Sequence, residues 1–137
     1  PAGILSDKVG RKRMIVVGWL VYALIYFGFA LAKSPVHVGI LYLLYGLYYG
    51  LTYGTAKAMV GDLVPDYLRG TAYGTYNAIL GILDFPASLI AGLLWSGLGS
   101  WAGFGPSAPF YFGAIMALLA TLGLIFWKPA KVPELAA

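Results

Sequence analysis

Four long apolar runs dominate the chain, from about Met14 to Ala32, Val36 to Val60, Thr71 to Leu98 and Ala108 to Trp127. Each is long enough to cross an apolar layer about 30 Å thick at a helical rise of about 1.5 Å per residue. They are far longer than the alternating segments of about ten residues that build membrane barrels. A helix satisfies its backbone polar groups internally, as lipid requires, so the pattern predicts an all-α, polytopic integral membrane protein with four transmembrane helices. The separators agree with those spans. Lys33-Ser34-Pro35 parts the first run from the second, and a polar stretch from Asp62 to Gly70 parts the second from the third. A Gly/Ser/Pro loop from Gly97 to Ser107 precedes the fourth, and Lys128-Pro129 stops it, leaving a tail over 128–137.

Composition narrows the solvent. Of 137 residues, 61% are hydrophobic and 10% charged, and the mean hydropathy is +0.82. A soluble domain carries about 25% charged residues, so the expected surroundings are a lipid bilayer. The net charge of +4 comes from bases beside apolar runs rather than along a stripe, which argues against a nucleic-acid partner. There is no cysteine, hence no disulfide framework or thiolate metal site, and no cofactor is expected. One histidine and one acid inside a span supply neither a nucleophile with its base nor a metal cluster, so the chain does not read as an enzyme.

Basic residues fix an orientation. Lys8, Arg11, Lys12, Arg13, Arg69, Lys128 and Lys131 fall on one side, and Lys33, with His37 nearby, on the other. Both termini and the loop around Arg69 are therefore expected in the cytoplasm, with the protein in the plasma (inner) membrane.

The stretch Gly3-Ile4-Leu5-Ser6-Asp7-Lys8-Val9-Gly10-Arg11-Lys12 resembles the cytoplasmic loop signature of the major facilitator superfamily. A second stretch, Gly61 to Gly74, resembles the family's other cytoplasmic loop, with an acid, a proline and the pair Arg69-Gly70. Gly3 suits close helix approach, and Gly10 a turn of positive φ. Asp7 suits a helix N-terminus, and Arg11 offers a fork of donors to a carboxylate. The resemblance implies a charge latch of Gly3, Asp7, Gly10, Arg11, Lys12, Asp62 and Arg69, with Asp62 facing Arg11 or Arg69. The plainer reading is that these bases only set topology.

That resemblance also implies placement. The second run lacks the arginine usual in the family's amino-terminal half, and the third shows Asp84-Phe85-Pro86 in place of Gly-Pro with paired glycines. The runs are therefore assigned to helices nine to twelve of a twelve-helix fold. Together with an opening inside a loop motif and no signal peptide ahead of it, this makes the chain an expected C-terminal fragment whose partner is the missing N-terminal portion. Its function is then transmembrane transport of a small-molecule substrate by alternating access, with H+ as a candidate coupling ion. The alternative is a free-standing four-helix protein, such as a small dimeric exporter or an accessory subunit.

Within the spans, Gly46, Gly50 and Gly54 repeat every fourth residue and read as a face for close packing. Tyr42, Tyr45 and Tyr49 share a helical stripe and are candidates for substrate contact, against packing or interface anchoring. Asp84, about 20 Å along its helix, is the leading coupling or substrate candidate, its rival role being a fixed pair with a base elsewhere. Asn77, one turn into the third helix, is the remaining candidate. Lys57 is expected to snorkel, and Trp19, Tyr22 and Tyr26 read as lipid-facing bulk.

Overall fold

A computed structural model gives the fold for residues 2–128, with side chains described except at residues 2–5 and 51. The expected tail from 129 onward, with Lys131, and whatever packs against Gly3 lie outside the described residues. Five α-helices follow one another: α1 (Ala2–Val9), α2 (Arg11–Leu31), α3 (Pro35–Asp62), α4 (Arg69–Ser96) and α5 (Ala108–Phe126). A 3-10 turn, Asp66–Leu68, leads into α4. No strand forms among the described residues; Leu98 and Trp101 make one isolated bridge in the glycine-rich loop.

The first helix is a correction to the sequence reading, which had the opening motif as a loop. Residues 2–9 are helical, and the loop shrinks to Gly10, whose φ of 97° no β-carbon residue readily adopts. Gly10 N–H donates to Ser6 O at 2.9 Å and closes α1, while its carbonyl accepts from Met14 N–H at 3.1 Å and opens α2. At the far end, Ser34 caps α3 by accepting from His37 N–H at 3.3 Å, and Pro35 occupies the first turn, where its missing N–H costs nothing.

α2 is the centre of the packing. It runs antiparallel to α3, since Gly18 meets Thr52 and Gly28 meets Leu41. It also runs antiparallel to α5, since Tyr26 meets Gly113 and Lys12 meets the last turn of α5. The buried residues are small or slender: Ile15, Ala23 and Ala30 on α2, Ala114 and Ala117 on α5. In lipid, where apolar side chains gain nothing by leaving the solvent, close backbone approach and dispersion hold helices together. Buried hydroxyls bond within their own helices, Thr52 to Tyr48 O at 2.8 Å and Thr121 to Ala117 O at 2.7 Å.

Gly18 is where close approach is needed, because a β-carbon there would collide with Thr52 Cγ2. The stripe of Gly46, Gly50 and Gly54 packs differently from the sequence expectation. Nothing lies within 4 Å of a β-carbon at any of the three, so that face of α3 points away from α2.

α2, the segment Asp66–Ser96 and α5 are each long and apolar enough to cross a membrane. α3 has 28 residues, but five tyrosines dilute its apolarity. It is not among the helices apolar enough to cross by themselves, and it lies antiparallel along α2, which is. Among the described residues α4 buries no side chain.

Candidate functional site

Antiparallel packing gathers the start of α2, the end of α3, the start of α4 and the end of α5 at one end of the bundle. Arg11 sits at the junction. Its Nε donates to Asp62 Oδ2 at 2.5 Å, and its Nη2 lies 3.3 Å from Asp7 Oδ1. One guanidinium thus joins α1, α2 and α3. The geometry works because Asp7 and Arg11 are four residues apart across the Gly10 turn and Asp62 ends α3. Arg11 is 28% exposed and Asp62 51%, so water screens the pair without dissolving it.

Three sequence expectations resolve here. Asp7 lies on the last turn of α1, not at a helix N-terminus, and its partner is a side chain. Asp62 takes Arg11, not Arg69. Arg69 instead pairs with Asp66 at 3.0 Å and donates weakly from Nε to Gly61 O at 3.4 Å, which stiffens the turn between α3 and α4.

Lys12 does something the sequence did not announce. Its Nζ donates to Ile125 O at 3.0 Å and to Trp127 O at 2.6 Å. Those carbonyls end α5, where the helix has free acceptors and its dipole favours a cation. Neighbouring residues of one motif therefore hold different helices, Arg11 the end of α3 and Lys12 the end of α5. The partner lies more than a hundred residues away, so no local spacing could have revealed it.

The second feature is a cleft of about 730 Å³ bounded by α2, α4 and α5 and touched by Tyr48 of α3. Asp84 lines it, together with Trp19, Tyr22, Tyr26, Tyr48 and Phe112. Tyr22 and Tyr26 stack at 4.1 Å between ring centroids, and Tyr22 meets Tyr48 at 5.4 Å. Trp19, Tyr22 and Tyr26 are thus cleft residues, a correction to their reading as lipid-facing bulk. No cation pairs with Asp84 among the described residues.

The other candidates lie elsewhere. Tyr45 joins the cluster from outside the cleft, 6.1 Å from Tyr22 and 6.0 Å from Tyr48. Tyr42 is exposed and packs edge-on to Phe29 at 5.2 Å. Tyr49 stacks on Tyr53 at 5.1 Å, and Lys57 Nζ sits over the Tyr53 ring at 4.8 Å. Asn77 is exposed on α4 and is not among the residues lining the cleft.

Long apolar helices, a charge cluster tying four helix ends and an acid at mid-helix define a polytopic membrane protein built around a cleft, not a simple anchor. The family model for the Major Facilitator Superfamily matches residues 1–137. The chain belongs to the Major Facilitator Superfamily. It is 40% identical over 92% of its length to an uncharacterized MFS-type transporter of Methanocaldococcus jannaschii, covering 30% of that protein. It is 33% identical over 85% of its length to the cis,cis-muconate transport protein of Acinetobacter baylyi, covering 29% of it. With multidrug resistance protein 2 of Bacillus subtilis it shares 32% identity over 91% of its length and 30% of the relative's. The chain thus spans about 30% of the length of these curated relatives. No solved structure matches it significantly.

Proposed function

We propose that the chain is part of a secondary transporter that moves a small solute by alternating access, supplying helices nine to twelve of a two-half fold. The observation that carries this reading is Arg11 bound to both Asp7 and Asp62 within the motif whose spacing is shared with the family. Such a cluster holds one arrangement of helix ends and is released in the other, which is what rocking halves around a mid-membrane site require. Gly3, Gly10, Lys12 and Arg69 complete the latch. Tyr42, Tyr45, Tyr49 and Asn77 would serve the cavity shared with the rest of the fold; Tyr49 and Asn77 are exposed, whereas Tyr42 packs on Phe29 and Tyr45 beside Tyr22 of α2. Asp84 is the candidate for solute or proton.

One relative is named for cis,cis-muconate transport and another for multidrug resistance, so similarity to them selects no substrate. The test is a chimera in which this chain replaces the matching segment of the B. subtilis multidrug protein. In proteoliposomes the chimera should export a fluorescent drug saturably, and the chain alone should not. A correctly inserted chimera without export, or robust saturable export by the chain alone, would count against the reading.

On this reading the charged end faces the cytoplasm from the plasma (inner) membrane, supported by the bases Lys8, Arg11, Lys12, Arg13 and Arg69 at that end. The chain has no cysteine, so single cysteines report cleanly. Ser100→Cys should react with an impermeant maleimide on intact cells, whereas Tyr67→Cys, in the turn before α4, should react only after lysis. The reverse pattern would invert the topology.

A further inference from the structure

We propose that Arg13 and Lys128 hold the phosphate of an anionic phospholipid at the charged end of the bundle, with an acyl chain lying along the outer stripe of α2. Arg13, Val17, Leu20, Leu24, Phe27 and Leu31 recur every third or fourth residue and are all exposed, so they form one face of the helix. Gly18 meets α3, and Ile15 and Ala23 are buried, so that face looks away from the packed interior. Phe27 packs edge-on to Tyr111 at 5.7 Å, so the stripe borders α5. α2 is apolar and long enough to cross a membrane, where an open apolar face meets acyl chains. Arg13 to Leu24 covers about 16 Å of helical rise, about half of an apolar core roughly 30 Å thick. That is the depth of one leaflet.

The headgroup end is built by the contact between α2 and α5. Lys12 Nζ donates to Trp127 O at 2.6 Å, which brings the end of α5 to the first turn of α2. Arg13 and Lys128, each next in sequence to a member of that contact, are both exposed there. Among the described residues, the acids of this end are engaged by other bases, Asp7 and Asp62 by Arg11 and Asp66 by Arg69. The guanidinium fork of Arg13 matches the oxygens of a phosphate, and each base near an anionic lipid surface adds about fivefold to its affinity. A soluble anion would meet the two bases but leave the stripe unused. The bases and the stripe together select a lipid. The site does not depend on the transporter reading.

The experiment uses this chain with Trp127 as its sole tryptophan, in vesicles of phosphatidylcholine and phosphatidylglycerol with one or the other lipid brominated. Trp127 is exposed beside Lys128, so its quenching reports the relative binding of the two lipids there. Phosphatidylglycerol should be preferred at least about fivefold, and Arg13→Gln combined with Lys128→Gln should bring the two lipids to parity. Lys33→Gln removes a charge at the other end and should leave the preference intact. Equal quenching in the parent, an unchanged preference in the double variant, or an equal loss in Lys33→Gln would overturn the site. Glycerol phosphate at matched ionic strength should not relieve quenching by brominated phosphatidylglycerol; relief would give the two bases to a soluble anion and overturn the lipid. A measurement on the unsubstituted chain guards against misfolded variants. Taken from equimolar vesicles into mild detergent, it should retain phosphatidylglycerol over phosphatidylcholine, and equal retention would also overturn the proposal.

Discussion

Gly18→Leu is expected to separate α2 from α3 and to destabilise the bundle by about 1–3 kcal/mol, the usual cost of overpacking a close contact. A β-carbon at Gly18 collides with Thr52 Cγ2, and Thr52 cannot swing away freely because its hydroxyl is bonded to Tyr48 O at 2.8 Å. Gly18 and Thr52 are both buried, so no solvent-side rotamer relieves the clash. The readout is the midpoint of helix loss as denaturing detergent is added. Gly50→Leu is the control: a β-carbon there meets nothing within 4 Å, so its midpoint should stay close to that of the unsubstituted chain. Equal shifts in the two variants would show that the α2–α3 seam is not where the packing lies.

Arg11→Ala is expected to have a small effect on folding and a larger one on transport. The pair with Asp62 is partly exposed, and such pairs contribute about 1 kcal/mol or less to stability. The same energy acts fully on the balance between two conformations if only one of them contains the pair. About 1 kcal/mol is roughly a fivefold shift in an equilibrium constant, and Arg11 also releases Asp7. Export by the drug-exporting chimera should therefore fall several-fold while helix content is unchanged. Lys12→Ala should add to this effect rather than duplicate it, because it frees the end of α5 and not the end of α3.

The spans were legible because lipid demands long apolar runs, and Lys33-Ser34-Pro35 and the Gly97–Ser107 loop punctuate them plainly. α1 was not, because eight residues carrying a glycine and two charges look like a loop when read for apolar length alone. That Asp62 would face Arg11 or Arg69 was implied by the family resemblance of the two polar stretches. Choosing between Arg11 and Arg69 needed the geometry of the Asp66–Leu68 turn, which gives Arg69 its own acid. Which face of a helix packs was the least legible feature. In a soluble protein polar residues mark the outer face, but here both faces are apolar, and three regularly spaced glycines on α3 look as well suited to packing as Gly18 does. For the same reason Tyr22 and Tyr26 resembled lipid-facing bulk, although the fold turns them toward Asp84. Lys12 reaching α5 depends on a contact between the two ends of the chain and leaves no local pattern.

The Arg11 cluster is proposed as a conformational latch and not only a topology signal. The most direct test is a charge exchange in the drug-exporting chimera, comparing Arg11→Asp, Asp62→Arg and the two together. A latch predicts that each single exchange slows export by roughly tenfold, since it places like charges together at helix ends, and that the double exchange restores much of the rate. If both single variants export at the parent rate, or the double variant is no faster than the slower single one, the pairing of Arg11 with Asp62 does not govern transport and the latch is contradicted.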